Sequence, residues 1–204
     1  MSVTSPELIE TRRDEIINVC ETLYKTMSFK EINIKEIGKI TSFGRTSIYN
    51  YFKTKEEIFL ALLQREYDAW TEELSQIADK DKMPAYKTAE ELAHSLEKRV
   101  LMLKLLAMNL YDIEENSSFE KLCEFKKSYK ASVKALDSVL ENHCPNMTEK
   151  DRNSFIYALL PFLFGVYPYC YATEKQCKAM DEIGLVYPTY SIYELVLNFI
   201  SKLI

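Results

Sequence analysis

An all-α protein is what this sequence predicts, and three observations carry the expectation. Only four Gly and six Pro interrupt 204 residues, so breakers of regular structure are sparse. Apolar residues recur at helical spacing almost throughout. Residues that cap helix N-termini recur too, as in Asn33-Ile34-Lys35-Glu36, Thr54-Lys55-Glu56-Glu57 and Ser117-Ser118-Phe119-Glu120. The length suits one sizeable core or a small domain plus a larger one.

The first helix can be capped by Ser5-Pro6 or by Thr11 and should reach about Met27, burying Ile9, Ile16, Ile17, Cys20, Leu23, Tyr24 and Met27. Asn33, with Glu36 three positions on, starts a second helix at Ile34. Thr41-Ser42 favour a turn that ends it. From Phe43 to Phe52 comes a third short helix with unequal sides: Phe43, Ile48 and Phe52 fall on one, Arg45, Thr46, Tyr49 and Asn50 on the other. Two short helices joined by about three residues have helix-turn-helix geometry. A long fourth helix then runs from Lys55 with Ile58, Phe59, Leu62, Leu63, Tyr67, Trp70, Leu74 and Ile77 as its apolar positions.

The polar run 79–84 is the best boundary within the chain. After it, a helix is expected over 85–111, apolar on nearly every side between Val100 and Met108, as a helix in the middle of a bundle would be. Residues 112–118 read as a break before a helix to about Glu141, whose five lysines read as a solvated face. A helix over 149–171 contains Pro161, which should bend it, and Gly165 and Pro168, which should loosen its end. A short helix within 172–183 and a closing one over 191–204 complete the chain.

Composition narrows the function. The net charge of −5 is unevenly spread: residues 1–65 carry ten Lys or Arg and nine Asp or Glu, the remainder sixteen and twenty-two. Between 33 and 55 stand five cations, Lys35, Lys39, Arg45, Lys53 and Lys55, and the single anion Glu36. Charges beyond a Debye length of about 8 Å are largely screened, so this local excess is what phosphates would meet. There is no glycine-rich phosphate loop, no H-E-x-x-H and no G-x-S-x-G, and two separated His leave little for acid–base work. No catalytic residue, metal site or cofactor is expected. Five Cys without a C-x-x-C pair read as reduced thiols. No run approaches the roughly 18 apolar residues of a membrane span, and the acidic start does not resemble a signal peptide, so a cytoplasmic protein away from membranes is expected.

The stretch from Asn33 to Phe59 resembles the DNA-binding domain of the TetR family of bacterial transcriptional regulators. Ile34, Ile37, Gly38, Phe43, Ile48, Tyr49, Tyr51, Phe52, Thr54, Lys55 and Glu56 carry the match. Ser42 stands where the family's turn commonly has Gly, and Gly44 where Ser or Thr commonly caps the recognition helix. The resemblance implies a three-helix helix-turn-helix head over 1–53 and an effector-binding, dimerising helical body over 54–204, joined by the helix over 55–77. It implies double-stranded DNA with a palindromic operator as partner, a homodimer, and repression relieved by a small effector. Residue for residue, Arg45, Thr46, Ser47 and Asn50 would face bases, while Tyr49 and Lys55 would hold phosphates with Lys35 nearby. Arg45 suits guanine O6/N7 and Asn50 adenine.

An apolar or aromatic effector would be lined by Trp70, Met102, Met108, Tyr111, Tyr157 and Phe162. Leu195 and Phe199 would lie in the dimer surface. A protein partner controlling DNA binding is the alternative to an effector.

Overall fold

The structure, a computed structural model, describes residues 5–204. Among the described residues it contains ten α-helices and no strand. They are α1 (Pro6–Tyr24), α2 (Ile34–Ile37), α3 (Arg45–Ile48), α4 (Lys55–Ala78), α5 (Ala85–Glu97), α6 (Val100–Glu115), α7 (Phe119–His143), α8 (Glu149–Cys170), α9 (Glu174–Glu182) and α10 (Ile192–Ile200). Two compact units result, one from the chain up to Arg65 with Asn109–Lys127, the other from Glu66–Met108 with Ser128–Ile204.

In the first unit, Ile16, Ile17, Cys20 and Tyr24 of α1 are buried with Ile34 and Ile37 of α2, Ile48 of α3, and Ile58, Phe59, Leu62 and Leu63 of α4. A fully buried Ile or Phe side chain contributes roughly 1.5–3 kcal/mol relative to an exposed one. Tyr24 meets the Phe59 ring edge-on at 5.1 Å between centroids and donates its hydroxyl to Asn109 Oδ1 at 2.7 Å. Arg65 ties α4 back to α1 through Asn18 and Glu21, both at 2.6 Å.

In the second unit Trp70 is fully buried and donates its indole N–H to Ser95 Oγ at 3.0 Å. The last carbonyls of α4, which no helical amide can satisfy, are met from α7: Asn142 Nδ2 donates to Ala78 O at 3.1 Å, and His143 Nε2 lies 2.9 Å from Ile77 O. Both α9 and α10 open with complete capping boxes, Thr173 with Gln176 and Ser191 with Glu194. Gly184, at φ 68°, turns the chain out of α9 in the left-handed conformation that Gly adopts most readily.

Three expectations are corrected. The helix expected over 85–111 is two, because α5 ends at Glu97 and α6 starts at Val100. Neither Gly nor Pro marks that break; Lys98 and Arg99 both reach the Glu73 carboxylate on α4, a long-range attraction that periodicity does not register. The following break is shorter than expected, since α6 runs to Glu115, where the Asn116 and Ser117 side chains donate to the carbonyls of Asp112 and Ile113. Finally, α1 stops at Tyr24, short of Met27, whereas α8 runs from Glu149 to Cys170 much as expected, closed by the Tyr171 amide on Tyr167 O at 2.9 Å. The five cysteines are free, and burial pushes the Cys20 thiol far above its ordinary pKa.

The start of α4 is organised by a buried carboxylate. Thr54 Oγ accepts the Glu57 amide at 3.1 Å, and Glu57 in turn accepts the amides of Lys53 at 2.6 Å and Ser118 at 3.3 Å. Burial works to raise the Glu57 pKa, but those hydrogen bonds and the Lys121 charge outweigh it, so the carboxyl is held below its usual value. Such a group contributes stability that is present above the unfolded pKa and lost as pH falls through the folded one. Denaturant stability should therefore fall with acid below about pH 4.3, the ordinary Glu value. Glu57→Gln should cost about 1–3 kcal/mol at pH 7 and flatten that acid limb; an unchanged limb would contradict the assignment.

Candidate nucleic-acid interface

The segment expected to read DNA is built on α2. Asn33 Oδ1 accepts the amides of Lys35 at 3.0 Å and Glu36 at 3.1 Å, which starts the helix. The Glu36 carboxylate pairs with Lys39 at 2.7 Å instead of closing a capping box. Ile34 and Ile37 point inward and Lys35 outward.

The approach of α3 to α2 depends on Gly38. A Cβ there would lie 3.0 Å from Arg45 Cα and 3.1 Å from both Arg45 N and Cβ. Since Gly38 has an ordinary helical φ of −68°, its requirement is space and not conformation. Between the helices Thr41 Oγ1 donates to Phe43 O at 2.7 Å.

Ile48 and Phe52 are fully buried and hold the segment down. Arg45, Thr46, Tyr49 and Asn50 are exposed along its other side, with Ser47 half-buried beside them. Thus the outward row anticipated from spacing is assembled on one surface. Phe43 is only half-buried, with the Arg12 guanidinium 5.3 Å from its ring centre. Gly44 caps α3 without a side-chain hydrogen bond, as expected of a residue with no side chain.

Lys55, expected to hold a phosphate, has protein partners of its own. Its ammonium donates to Phe29 O at 2.7 Å and sits 4.2 Å from the Phe29 ring centre, so it is turned into its own unit. An unsatisfied loop carbonyl beside an aromatic face is a strong local site for a cation. Outward cations in this region include Lys35, Lys39 and Arg45.

Sequence reasoning missed the contribution of α1. Glu15 accepts hydrogen bonds from both the amide and the hydroxyl of Ser42, the latter at 2.9 Å. Arg12 reaches Tyr51 Oη at 3.5 Å, and the Arg13 guanidinium lies 5.3 Å from the Phe52 ring centre. The available signal was the pair of departures at Ser42 and Gly44, which leave the turn in need of other support.

The six residues expected to line an effector pocket differ in their surroundings. Trp70 and Met102, at 0% exposure, border no space that water can enter in this conformation. Met108, Tyr111 and Tyr157 are 58%, 79% and 73% exposed, and Tyr111 belongs to the first unit. Phe162 stacks on Phe199, the rings parallel within 2° and 3.9 Å apart, so a residue assigned to the pocket and one assigned to the dimer surface cover each other. Helical periodicity separates buried from exposed positions; it cannot say which buried positions surround a space. Leu195 and Phe199 are both half-buried on α10, which packs on α5 and α8. Among the described residues no group of three His, Cys, Asp or Glu could hold a metal ion, and no single helix is long and apolar enough to cross a membrane.

A family model described as tetracyclin repressor-like, C-terminal domain, matches residues 64–191. The chain belongs to the TetR family of transcriptional regulators. It is similar to the HTH-type transcriptional regulator HbdR of Aromatoleum sp. (strain CIB), 29% identical over 72 residues that make up 35% of this chain and 31% of HbdR. The chain thus matches about a third of the length of that curated relative. A TetR/AcrR-family regulator from Thermobifida fusca superposes with a TM-score of 0.64 at 20% identity, covering 95% of this chain and 96% of its own. FadR from Bacillus subtilis in complex with stearoyl-CoA does so with a TM-score of 0.60 at 15% identity, covering 93% and 96%. At these identities the structural likeness shows the all-helical TetR fold alone, and the family is one of regulators, not enzymes.

The crossing at Gly38 yields a test. Gly38→Ala should change folding stability by less than about 1 kcal/mol, because Ala favours helix where the new methyl crowds. The methyl must nevertheless push the Arg45 backbone away, so the variant's preference for its best duplex over random DNA should drop at least several-fold in gel-shift titrations. Full retention of that preference would show that the close crossing is not needed.

Proposed function

We propose that this chain is a homodimeric repressor that binds a palindromic operator and is released from it by a small apolar or aromatic effector in the cytoplasm. In this reading 1–53 is the DNA-binding head and 54–204 the effector-binding and dimerising body. The observation that carries it is the two-sided segment 43–52: Ile48 and Phe52 are buried, and Arg45, Thr46, Tyr49 and Asn50 stand exposed. The start of a recognition helix inserts into the major groove, where Arg45 would pair with guanine and Asn50 with adenine. Ser47 would add a base contact, and Tyr49 and Lys35 would hold phosphates.

A two-fold dimer presents two such segments to successive turns of the duplex. The half-exposed Leu195 and Phe199 on α10, with the neighbouring face of α8, would form its surface. Helix α4 contributes its first turns to one unit and its remainder to the other, which makes it the route by which an effector in the body would act on the head. Tens-fold release needs about 2 kcal/mol of coupling between the sites. Because Trp70 and Met102 border no open space, the lining must part to admit an effector, and the indole bond to Ser95 would change with it. Support for an effector comes from family membership and from the stearoyl-CoA complex of the B. subtilis neighbour. Control by a protein partner is a second reading, favoured by Ile183, Leu185 and Val186, all exposed in the connection between α9 and α10.

Selection from a random duplex pool tests the proposal. The wild type should enrich an inverted repeat, and Arg45→Ala or Asn50→Ala should relax the preference at one position in each half-site. Lys35→Ala should weaken all duplexes and reduce the salt slope by about 0.9, the effect of one lost phosphate contact. Lys55→Ala should destabilise the fold more than it changes that slope. No enriched sequence, or a slope untouched by Lys35→Ala, would count against the respective assignments.

Dimerisation has its own test in light scattering. Leu195→Glu should convert a particle of twice the 23.9 kDa chain mass into a monomer by burying an unpaired charge. A monomeric wild type would contradict the dimer.

A further inference from the structure

We propose that Glu15 of α1 is a positioning residue for the recognition segment, its carboxylate clamping the helix-turn-helix turn at Ser42. The proposal rests on the DNA-binding reading above. Family likeness makes Ser42 and Gly44 unusual, and the geometry shows how the chain manages both. No residue of this turn has a positive φ, so it is made without the conformation that Gly would supply. Gly44 adds no side-chain cap, so the start of α3 lacks the hydrogen bond that a Ser or Thr would make. A helix of four residues cannot hold its own place, since nucleation is unfavourable and its internal bonds are few.

Glu15 supplies the missing constraint from outside. One carboxylate oxygen takes the Ser42 amide and the other the Ser42 hydroxyl, 2.9 Å away. Hydrogen bonds to a charged acceptor are about twice as strong as neutral ones. Three residues N-terminal on the same face of α1, Arg12 reaches Phe43 and Tyr51 on either side of the reading row. The turn and both flanks of the segment are therefore braced by one helix that is itself anchored in the core through Ile16 and Ile17.

Glu15 also makes the test sharp, because an acidic residue near a DNA-facing surface would by charge alone oppose binding. A bystander carboxylate and a clamp predict opposite signs on removal. The experiment uses the full chain and two probes: the duplex that wild type enriches from a random pool, and an unselected random duplex.

Glu15→Ala should bind the selected duplex about tenfold more weakly, bind the random duplex as well as or better than wild type, and keep the wild-type salt slope. Glu15→Gln, which retains an oxygen for the Ser42 amide, should recover part of the loss, and thermal melts establish that both variants are folded. Unchanged or tighter binding of Glu15→Ala to the selected duplex would overturn the proposal. An equal loss on both duplexes would also overturn it, by showing general damage to the head instead of misplacement. A wild type that enriches no sequence would sink the DNA-binding reading and this proposal with it, whereas the first two results sink the proposal alone.

Discussion

Everything proposed for the DNA-facing surface depends on one constraint: a four-residue helix whose N-cap makes no side-chain hydrogen bond must be held in place by groups outside it. Three contacts meet that requirement. Ile48 and Phe52 anchor its inner side in the core, the absent side chain of Gly38 lets the Arg45 backbone come close, and Glu15 ties down the preceding turn. Hydrophobic burial is non-directional and sets only how deep the segment sits. The close crossing and the hydrogen bonds set where along α2 it lies and which way its outer row faces. Affinity for DNA in general needs little of this, but reading bases does, since side chains must meet base edges within hydrogen-bonding distance.

Electrostatics follow the same division between local and global. The chain is acidic overall, yet its cations gather between 33 and 55. Several of its carboxylates are spent on structure: Glu36 on Lys39, Glu57 on the amides of Lys53 and Ser118, Glu73 on Lys98 and Arg99. A carboxylate committed to such partners is compensated locally and contributes less field at a distance. Glu15, like Glu57, has neutral dipoles as its hydrogen-bond partners, those of Ser42 in the turn, and it leaves a negative charge in the head.

Much of the fold was legible in the sequence because its signals are local. The caps at Asn33 and Thr54 mark helix starts through side chains and amides three residues apart, and the split between Ile48 or Phe52 and Arg45 or Asn50 follows from helical periodicity alone. What was not legible depends on partners distant in sequence. The break after Glu97 is stabilised from Glu73, and Lys55 is drawn inward by Phe29, neither of which leaves a trace in spacing. The proposed pocket lining was not legible for a different reason. Trp70, Tyr157 and Phe162 share an apolar or aromatic character, and that character does not distinguish a filled core, an outer helix face and a ring stack.

The central claim is that residues 43–52 read bases through the major groove, twice per duplex. Dimethyl sulfate interference on the selected duplex probes it most directly, because the reagent methylates guanine N7 in the major groove and adenine N3 in the minor groove. The account predicts that methylated guanines block binding in two half-sites one helical turn, about 10 base pairs, or a multiple of that apart. It further predicts that Arg45→Ala abolishes the block at one guanine in each. Interference confined to adenine N3, or a single uninterrupted patch unaffected by Arg45→Ala, would contradict it.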